Sequence, residues 1–246
     1  MTGSHLFIAD LHLEPSARRI SRLAMRFFAE AHGIRQLYIL GDLFEYWLGD
    51  DAGLLLYENE LRALRQLSDS GCKVTIMLGN RDFLLGDEFA RHIGATLVTA
   101  DELVITLGET PVLLMHGDTL CTDDTDYQRF RQSLRKPRWR TQFLEKSIDE
   151  RREQAEALRV ASRGASRAKP AEIMDVNCQA VSERLSANGC QILIHGHTHR
   201  PAEHMRAQTD TTRLVVGDWH KDHAQYVQWS DAEGFALKTF HDEHGR

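Results

Sequence analysis

The sequence predicts an α/β fold in which two sheets pack face to face and helices cover their outer sides. Two observations carry this expectation. Short apolar runs rich in Val, Ile and Leu alternate with stretches of helical periodicity, and five of those runs end in small polar motifs. Continuously apolar runs suit strands buried on both faces, and strand–helix alternation yields a largely parallel sheet with its site at the strand carboxyl ends.

Taken in order, residues 5–9 form the first strand, ending at Asp10. Ile20, Leu23, Ala24, Phe27, Phe28 and Ala31 then recur at helical spacing, with Ser16 as the upstream cap and Gly33 as the stop. Residues 36–40 make the second strand, and a second helix carries Leu54, Leu61, Leu64 and Leu67 to an end near Gly71. Residues 74–78, 112–115 and 191–194 are the next strands, and 211–216, 224–229 and 235–239 read as later ones. The charged tail after Thr239 is expected to fray.

A chain of 246 residues that is 42% hydrophobic supports one domain, 1–246, without covalent staples. The four cysteines show no CxxC spacing, which fits free thiols in a reducing compartment; Cys121 has acidic neighbours and reads as packing. No run is long enough to span a bilayer, and the start enters a strand rather than a signal peptide, so a cytoplasmic location is expected. One stretch departs from the rest. Residues 126–169 hold thirteen Lys or Arg against six Asp or Glu, a net +7 inside a chain of net −6. Tyr127, Phe130 and Leu134, then Trp139, Phe143, Leu144 and Ile148, are spaced helically around Pro137. This is a helical, basic insertion, a cap placed over the site. Such helices with aromatic anchors lie on anionic membrane surfaces or face anionic ligands; the plainer reading is a solvated charged helix packed on the domain. No nucleic-acid partner is expected, because the whole chain is acidic and the basic stretch mixes in acids without a stacking platform for bases. No protein partner is inferred.

The five motifs are Asp10-Leu11-His12, Gly41-Asp42, Gly79-Asn80-Arg81-Asp82, His116-Gly117-Asp118 and Gly196-His197-Thr198-His199. They offer hard oxygen and imidazole nitrogen and no thiolate, the donors of two divalent ions held about 3.5–4 Å apart. Asp42 is the natural carboxylate bridge. One ion then takes Asp10, His12 and a distant imidazole; the other takes Asn80, His116 and another, with His197 and His199 supplying the pair. Singly, any of these residues reads as a strand-end cap. Together they point to water activated between two cations for attack on phosphorus.

The motifs, with GDLFEYWLGDD at 41–51, GNRDFLLG at 79–86, HGDTLCTDD at 116–124 and IHGHTHRP at 194–201, resemble the UDP-2,3-diacylglucosamine diphosphatases of lipid A biosynthesis, within the calcineurin-like metallophosphoesterases. The resemblance runs from Phe7 to Trp219 and is weakest over 138–158. It implies a metallophosphoesterase-type two-sheet core flanked by helices. It also implies manganese-dependent hydrolysis of UDP-2,3-diacylglucosamine to UMP and 2,3-diacylglucosamine 1-phosphate by attack on the α-phosphorus, at the cytoplasmic face of an inner membrane. By similarity the first of two Mn2+ takes Asp10, His12 and His199, the second takes Asn80, His116 and His197, and Asp42 bridges. Asp42, Asn80, Arg81 and His116 are the catalytic set, and substrate contacts fall at Asn80, Arg81, Asp124, Ser162, Lys169 and His197. Ser166 stands where relatives carry another polar side chain. Arg81 occupies the position where many such enzymes have a histidine. Arginine cannot donate a proton near neutral pH, but a phosphate leaving group needs charge neutralisation rather than a proton, which a bidentate guanidinium supplies. The structural alternative pairs Arg81 with Asp82 or Asp118. Tyr127, Phe130, Trp139 and Phe143 are expected to meet acyl chains or membrane, and Asp118, Asp123 and His195 to orient ligands. Competing readings are a nucleotide pyrophosphatase or cyclic nucleotide phosphodiesterase, which share the ligands without needing the cap, and a protein-binding module, which would show broken ligand motifs.

Overall fold

A computed structural model describes residues 3–31, 33–167, 169–170 and 173–242, the side chains of Ser166 and Arg167 excepted. In chain order the elements are β1 (His5–Ile8), α1 (Arg18–Glu30), β2 (Gln36–Ile39), α2 (Asp50–Leu56), α3 (Glu58–Asp69), β3 (Lys73–Met77), α4 (Asp87–Ile93) and β4 (Thr96–Val98). There follow β5 (Glu102–Leu107), β6 (Thr110–Met115), α5 (Thr125–Leu134), α6 (Pro137–Leu144), α7 (Ile148–Arg167) and α8 (Cys178–Ala187). The chain closes with β7 (Ile192–His195), β8 (Ala202–Arg206), β9 (Thr211–Val215), β10 (Gly217–Trp219), β11 (His223–Ser230) and β12 (Gly234–His241).

Two sheets result. The first runs β10-β11-β1-β2-β3-β4 with β12 beside β11, and β1 to β4 are parallel. The second runs β5-β6-β7-β9-β8, with β6, β7 and β9 parallel. Strand alternation divides their side chains between two layers. Phe7, Ala9, Tyr38, Leu40 and Met77 meet Val112, Leu114, Ile194, Leu214 and Val216 between the sheets. Leu6, Ile8, Leu37 and Ile39 face the other way, onto Leu23, Phe27 and Phe28 of α1 and Leu61, Leu64 and Leu67 of α3. On the far side, Leu113, Met115 and Leu193 pack against Val181 and Leu185 of α8. The order is helix, sheet, sheet, helix, as the α/β reading expects.

Several local expectations give way. Ser16 is not the cap of α1: Ala17 holds that position without a side-chain bond, and the helix starts at Arg18, beyond the reach of Ser16. The second helix is two, broken at Tyr57 (φ −116, ψ 29), whose hydroxyl donates to Tyr46 O at 3.1 Å while its ring packs on Phe44 and Trp47. That tertiary anchoring outweighs the helical periodicity. The tail does not fray at Thr239. β12 pairs with β11 through His241, and the Phe240 ring sits 5.4 Å from that of Phe27; residues 243–246 lie outside the described residues.

Candidate metal centre

The parallel strands β1, β2, β3, β6 and β7 deliver the polar motifs to one crevice at their carboxyl ends. There the backbone leaves its ordinary range. Asp10 (φ 57), His12 (φ 46), Asp42 (φ 51), His197 (φ 67) and His199 (φ 51) all take the left-handed conformation. For non-glycine residues this costs on the order of 1 kcal/mol or more each, and it persists only where surrounding bonds impose it. Here Asp10 N–H donates to Gly41 O at 3.1 Å and His12 N–H to Asp42 O at 3.0 Å; His197 N–H donates to the Asp10 carboxylate at 2.7 Å. Close approach explains Gly41, where a Cβ would stand 2.6 Å from Gly79 Cα and 2.7 Å from His116 Nδ1.

Among the described residues two clusters form, Asp10 with His12 and His199, and Asp10 with Asp42 and His116, each with its donor atoms within 4.8 Å of one another. Asp10 belongs to both, and Asp42, a member of the second, also reaches the first: one of its oxygens lies 3.8 Å from His12 Nε2 and the other 3.8 Å from His116 Nε2. Asn80 Oδ1 lies 2.9 Å from both His116 Nε2 and His197 Nδ1. Three features fit these residues to divalent cations. Asp10 Oδ1 is buried with no hydrogen-bond partner among the described residues. His116 Nδ1 sits 2.8 Å from Leu40 O, which places its proton there and turns the Nε2 lone pair toward another acceptor, Asn80 Oδ1. His12 Nε2 and His199 Nε2 approach to 3.2 Å with their rings stacked. The convergence of carboxylate, amide and imidazole donor atoms in one crevice, with oxygen and nitrogen ligands only, suits a hard or borderline dication.

Electrostatics follow from burial. Desolvation raises the Asp10 pKa. Burial works in the same direction at Asp42, but His116, His12 and Arg81 outweigh it and the net displacement is downward. For His12 and His116 burial opposes the imidazolium, yet the surrounding carboxylates prevail and both rise. Burial, then the neighbouring His116, pushes His197 down to about 4.

The supports of the site differ from those expected. Asp118 accepts from Tyr127 Oη at 2.7 Å and Arg131 Nε at 2.6 Å, Asp123 accepts from Asn177, and His195 lies against Gly196 O and Arg213. Among the described residues, none of the three hydrogen-bonds a side chain of the metal set. The knot is Asp82 instead. Fully buried, it accepts from the backbone N–H of Gly79 at 2.9 Å, Leu43 at 2.7 Å, Asp42 at 3.3 Å and Phe44 at 3.4 Å, and so ties the Asp42 loop to the Asn80 loop. Burial, then the Asp42 charge, pushes its carboxyl up to about 6. Glu45, also unforeseen, contacts His12.

His195 supplies a pH test. Burial, then Arg213, pushes its imidazole down to about 3 from an ordinary 6.5. The unfolded chain therefore takes up this proton first. Its contribution is complete above pH 6.5 and is lost as pH falls toward the folded value, at roughly 1.4 kcal/mol per pH unit within that window. In metal-stripped protein, urea midpoints measured from pH 7 to pH 4 are expected to fall more steeply for wild type than for His195→Gln; equal slopes contradict the assignment.

Residues 5–201 match the family model of the calcineurin-like phosphoesterases. The chain belongs to the calcineurin-like phosphoesterase family. A curated relative of this phosphoesterase from Marinobacter nauticus is 43% identical over 92% of each chain, and one from Edwardsiella ictaluri is 45% identical over 94% of this chain and 90% of its own; both are named UDP-2,3-diacylglucosamine hydrolase. A solved structure titled a novel archaeal phosphodiesterase shares the fold at 9% identity, with a TM-score of 0.50 over 96% of this chain and 99% of that one.

Asn80, Arg81, Asp124, Ser162 and His197 line a polar cleft of the phosphoesterase together with His12, Asp42 and His199. Lys169 reaches it through Asp124, whose two oxygens it meets at 2.7 Å. The Ser166 side chain lies outside the described residues. Arg81 pairs with neither Asp82 nor Asp118: its Nε is buried and has no partner among the described residues. Beside the cleft, under α5, α6 and α7, opens an apolar recess lined by Trp47, Phe83, Tyr127, Phe130, Trp139 and Phe143. Among the described residues no helix is long and apolar enough to cross a membrane.

Proposed function

We propose that this phosphoesterase hydrolyses the diphosphate bond of UDP-2,3-diacylglucosamine to UMP and 2,3-diacylglucosamine 1-phosphate with two manganese ions, as a peripheral protein at the cytoplasmic face of an inner membrane. One observation carries the reading. The polar cleft and the apolar recess share a wall made of Glu45, Asn80, Arg81, Tyr127 and Ser162, which places a polar and an apolar subsite side by side, the arrangement that a molecule with a diphosphate at one end and alkyl chains at the other calls for. The names of the relatives agree with it.

In this reading Asp10, His12 and His199 would hold the first ion and Asn80, His116 and His197 the second, and Asp42 would serve both. When bound, such a pair lowers the pKa of a shared water and withdraws charge from phosphoryl oxygens. Asp82 keeps Asp42 and Asn80 in register through the backbone bonds described above. Arg81, whose buried Nε has no partner among the described residues, grips the phosphates and neutralises the departing phosphate ester, which needs no proton. Ser162 and the Asp124–Lys169 pair orient the sugar diphosphate, as Ser166 is proposed to do. The residues 126–169 act as a cap: Tyr127, Phe130 and Trp139 receive acyl chains, the buried Phe143 floors the recess, and the exposed basic side chains meet anionic headgroups.

Hydrolysis in water enriched in heavy oxygen is expected to place the label in UMP; label in the lipid phosphate alone contradicts attack at the α-phosphorus. The matching UDP-sugar without acyl chains is expected to lose on the order of 100-fold or more in kcat/KM, because binding energy in the recess no longer serves the reaction. Equal efficiency with both substrates argues for a general nucleotide pyrophosphatase.

A further inference from the structure

The motif GDLFEYW places Glu45 three residues after Asp42, and Glu45 is 7% exposed. A carboxylate so buried needs cationic partners. It has two kinds. One oxygen lies 2.9 Å from His12 Nδ1, the ring nitrogen opposite the one turned toward His199, although the N–H is not aimed straight along that line. The other oxygen accepts from Arg159 Nε at 3.0 Å and Arg163 Nη2 at 3.2 Å, both on α7. Arg159 further meets Glu14 at 3.3 Å and lies over the Tyr46 ring at 5.4 Å, so its guanidinium is fixed. Burial opposes the charge of Glu45, but His12, Arg81 and Arg159 overcome it and hold the carboxyl down to about 2.

We propose that Glu45 is a positioning residue that joins the His12 pocket to the cap: through Arg159 it makes metal binding at His12 and docking of α7 mutually stabilising. The coupling rests on the dinuclear reading above. Its physical basis is that a carboxylate on the far nitrogen of a metal-binding imidazole fixes tautomer and ring orientation. Glu45 cannot do this freely, since its other oxygen is shared with helix α7, more than a hundred residues further along the chain. Whatever fixes one contact therefore favours the other, and a coupling free energy between two events acts equally in both directions. The remaining cap anchors differ in kind. Arg135 donates to Gly79 O at 2.8 Å, Tyr127 and Arg131 donate to Asp118, and Arg151 of α7 donates to Leu48 O at 2.6 Å; these hydrogen bonds run to loops and not to a metal-binding side chain, while the Tyr127 ring packs 5.9 Å from that of His197. Among the described residues, the polar link from a side chain of the metal set to α7 runs through Glu45.

The test uses full-length protein, wild type, Arg159→Met, Arg159→Lys and Glu45→Gln, each with Mn2+ or with EDTA. Amide hydrogen exchange is followed over 148–165, with α8 as internal reference, and Mn2+ binding is measured by calorimetry. In wild type, Mn2+ is expected to slow exchange in α7 by about tenfold or more, whereas in Arg159→Met the slowing falls below about threefold and in Arg159→Lys it is partly restored. Glu45→Gln is expected to weaken Mn2+ binding about 10- to 100-fold as well as abolish the protection. Arg159→Met sits on the cap, so its outcome stands even where Glu45→Gln folds poorly. Equal metal-dependent protection in wild type and Arg159→Met overturns the coupling while leaving the metal centre intact. Failure of wild type to bind Mn2+ overturns the dinuclear reading and the coupling with it.

Discussion

Asp42→Asn is expected to reduce kcat/KM by about 10³-fold or more, roughly 4 kcal/mol of transition-state stabilisation, while the stripped protein keeps its fold. The two halves of this expectation have separate causes. The two oxygens of Asp42 point to different imidazoles, each 3.8 Å away, one of His12 and one of His116, as a carboxylate shared by two ions would. A carboxamide offers one weak oxygen ligand and an NH2 that cannot bind a cation, so two ions no longer share it. Yet the amide keeps the shape of the acid. Its oxygen still accepts the Arg81 N–H, now at 2.8 Å, and Asp82 continues to hold the loop by its backbone. The check is kinetic assay together with bound-metal content and the thermal midpoint in EDTA. A variant that carries two metals and turns over normally removes Asp42 from the bridging role.

For Arg81→Lys the expected pattern is the reverse: metal content unchanged and kcat/KM lower by about 10²- to 10³-fold. Lysine preserves the charge and the backbone N–H that bonds Asp42, so the metal set keeps its geometry. What it lacks is the planar fork that grips two phosphoryl oxygens at once. Arg81 borders both the cleft and the recess, and its buried Nε has no partner among the described residues, which is how a donor reserved for a ligand looks. Metal analysis beside steady-state kinetics decides the matter. Equal turnover refutes the phosphate grip, and loss of metal assigns Arg81 to the architecture of the site.

These outcomes bear on what was legible from residues alone. Asp10, His12, Asp42, Asn80, His116, His197 and His199 could be named because each follows an apolar run, and parallel strands carry their ends to one crevice by topology, with no side-chain detail required. The strands with strong apolar character were readable for the same reason. The three-residue β4, the exposed edge strand β8 and the seven-residue α4 were not, because too few buried positions mark them. Ser16 misled as a cap because composition does not say where the first turn begins. Tyr57 breaks a regular helical repeat through contacts with Tyr46, Phe44 and Trp47 that periodicity does not contain.

Residues that act on other residues were the least visible. Asp82 looked like a partner for Arg81, whereas its oxygens collect four backbone N–H groups, a role that depends on how two loops meet. Glu45 gave no sign of its contact with Arg159, since the pair is separated by more than a hundred residues and formed only when α7 lies across the cleft. Asp118 and Asp123 sit beside His116 in sequence but turn their carboxylates to Tyr127, Arg131 and Asn177. Proximity along the chain was a poor guide to which acid supports which ligand.

The claim on which the rest depends is that seven donors from five loops converge on a pair of cations. Diffraction data collected at the manganese absorption edge, from crystals grown with Mn2+, test it directly. The account predicts two anomalous peaks about 3.5–4 Å apart, one bonded to Asp10, His12 and His199, the other to Asn80, His116 and His197, with Asp42 reaching both. A single peak, or peaks elsewhere with these side chains unligated, contradicts it.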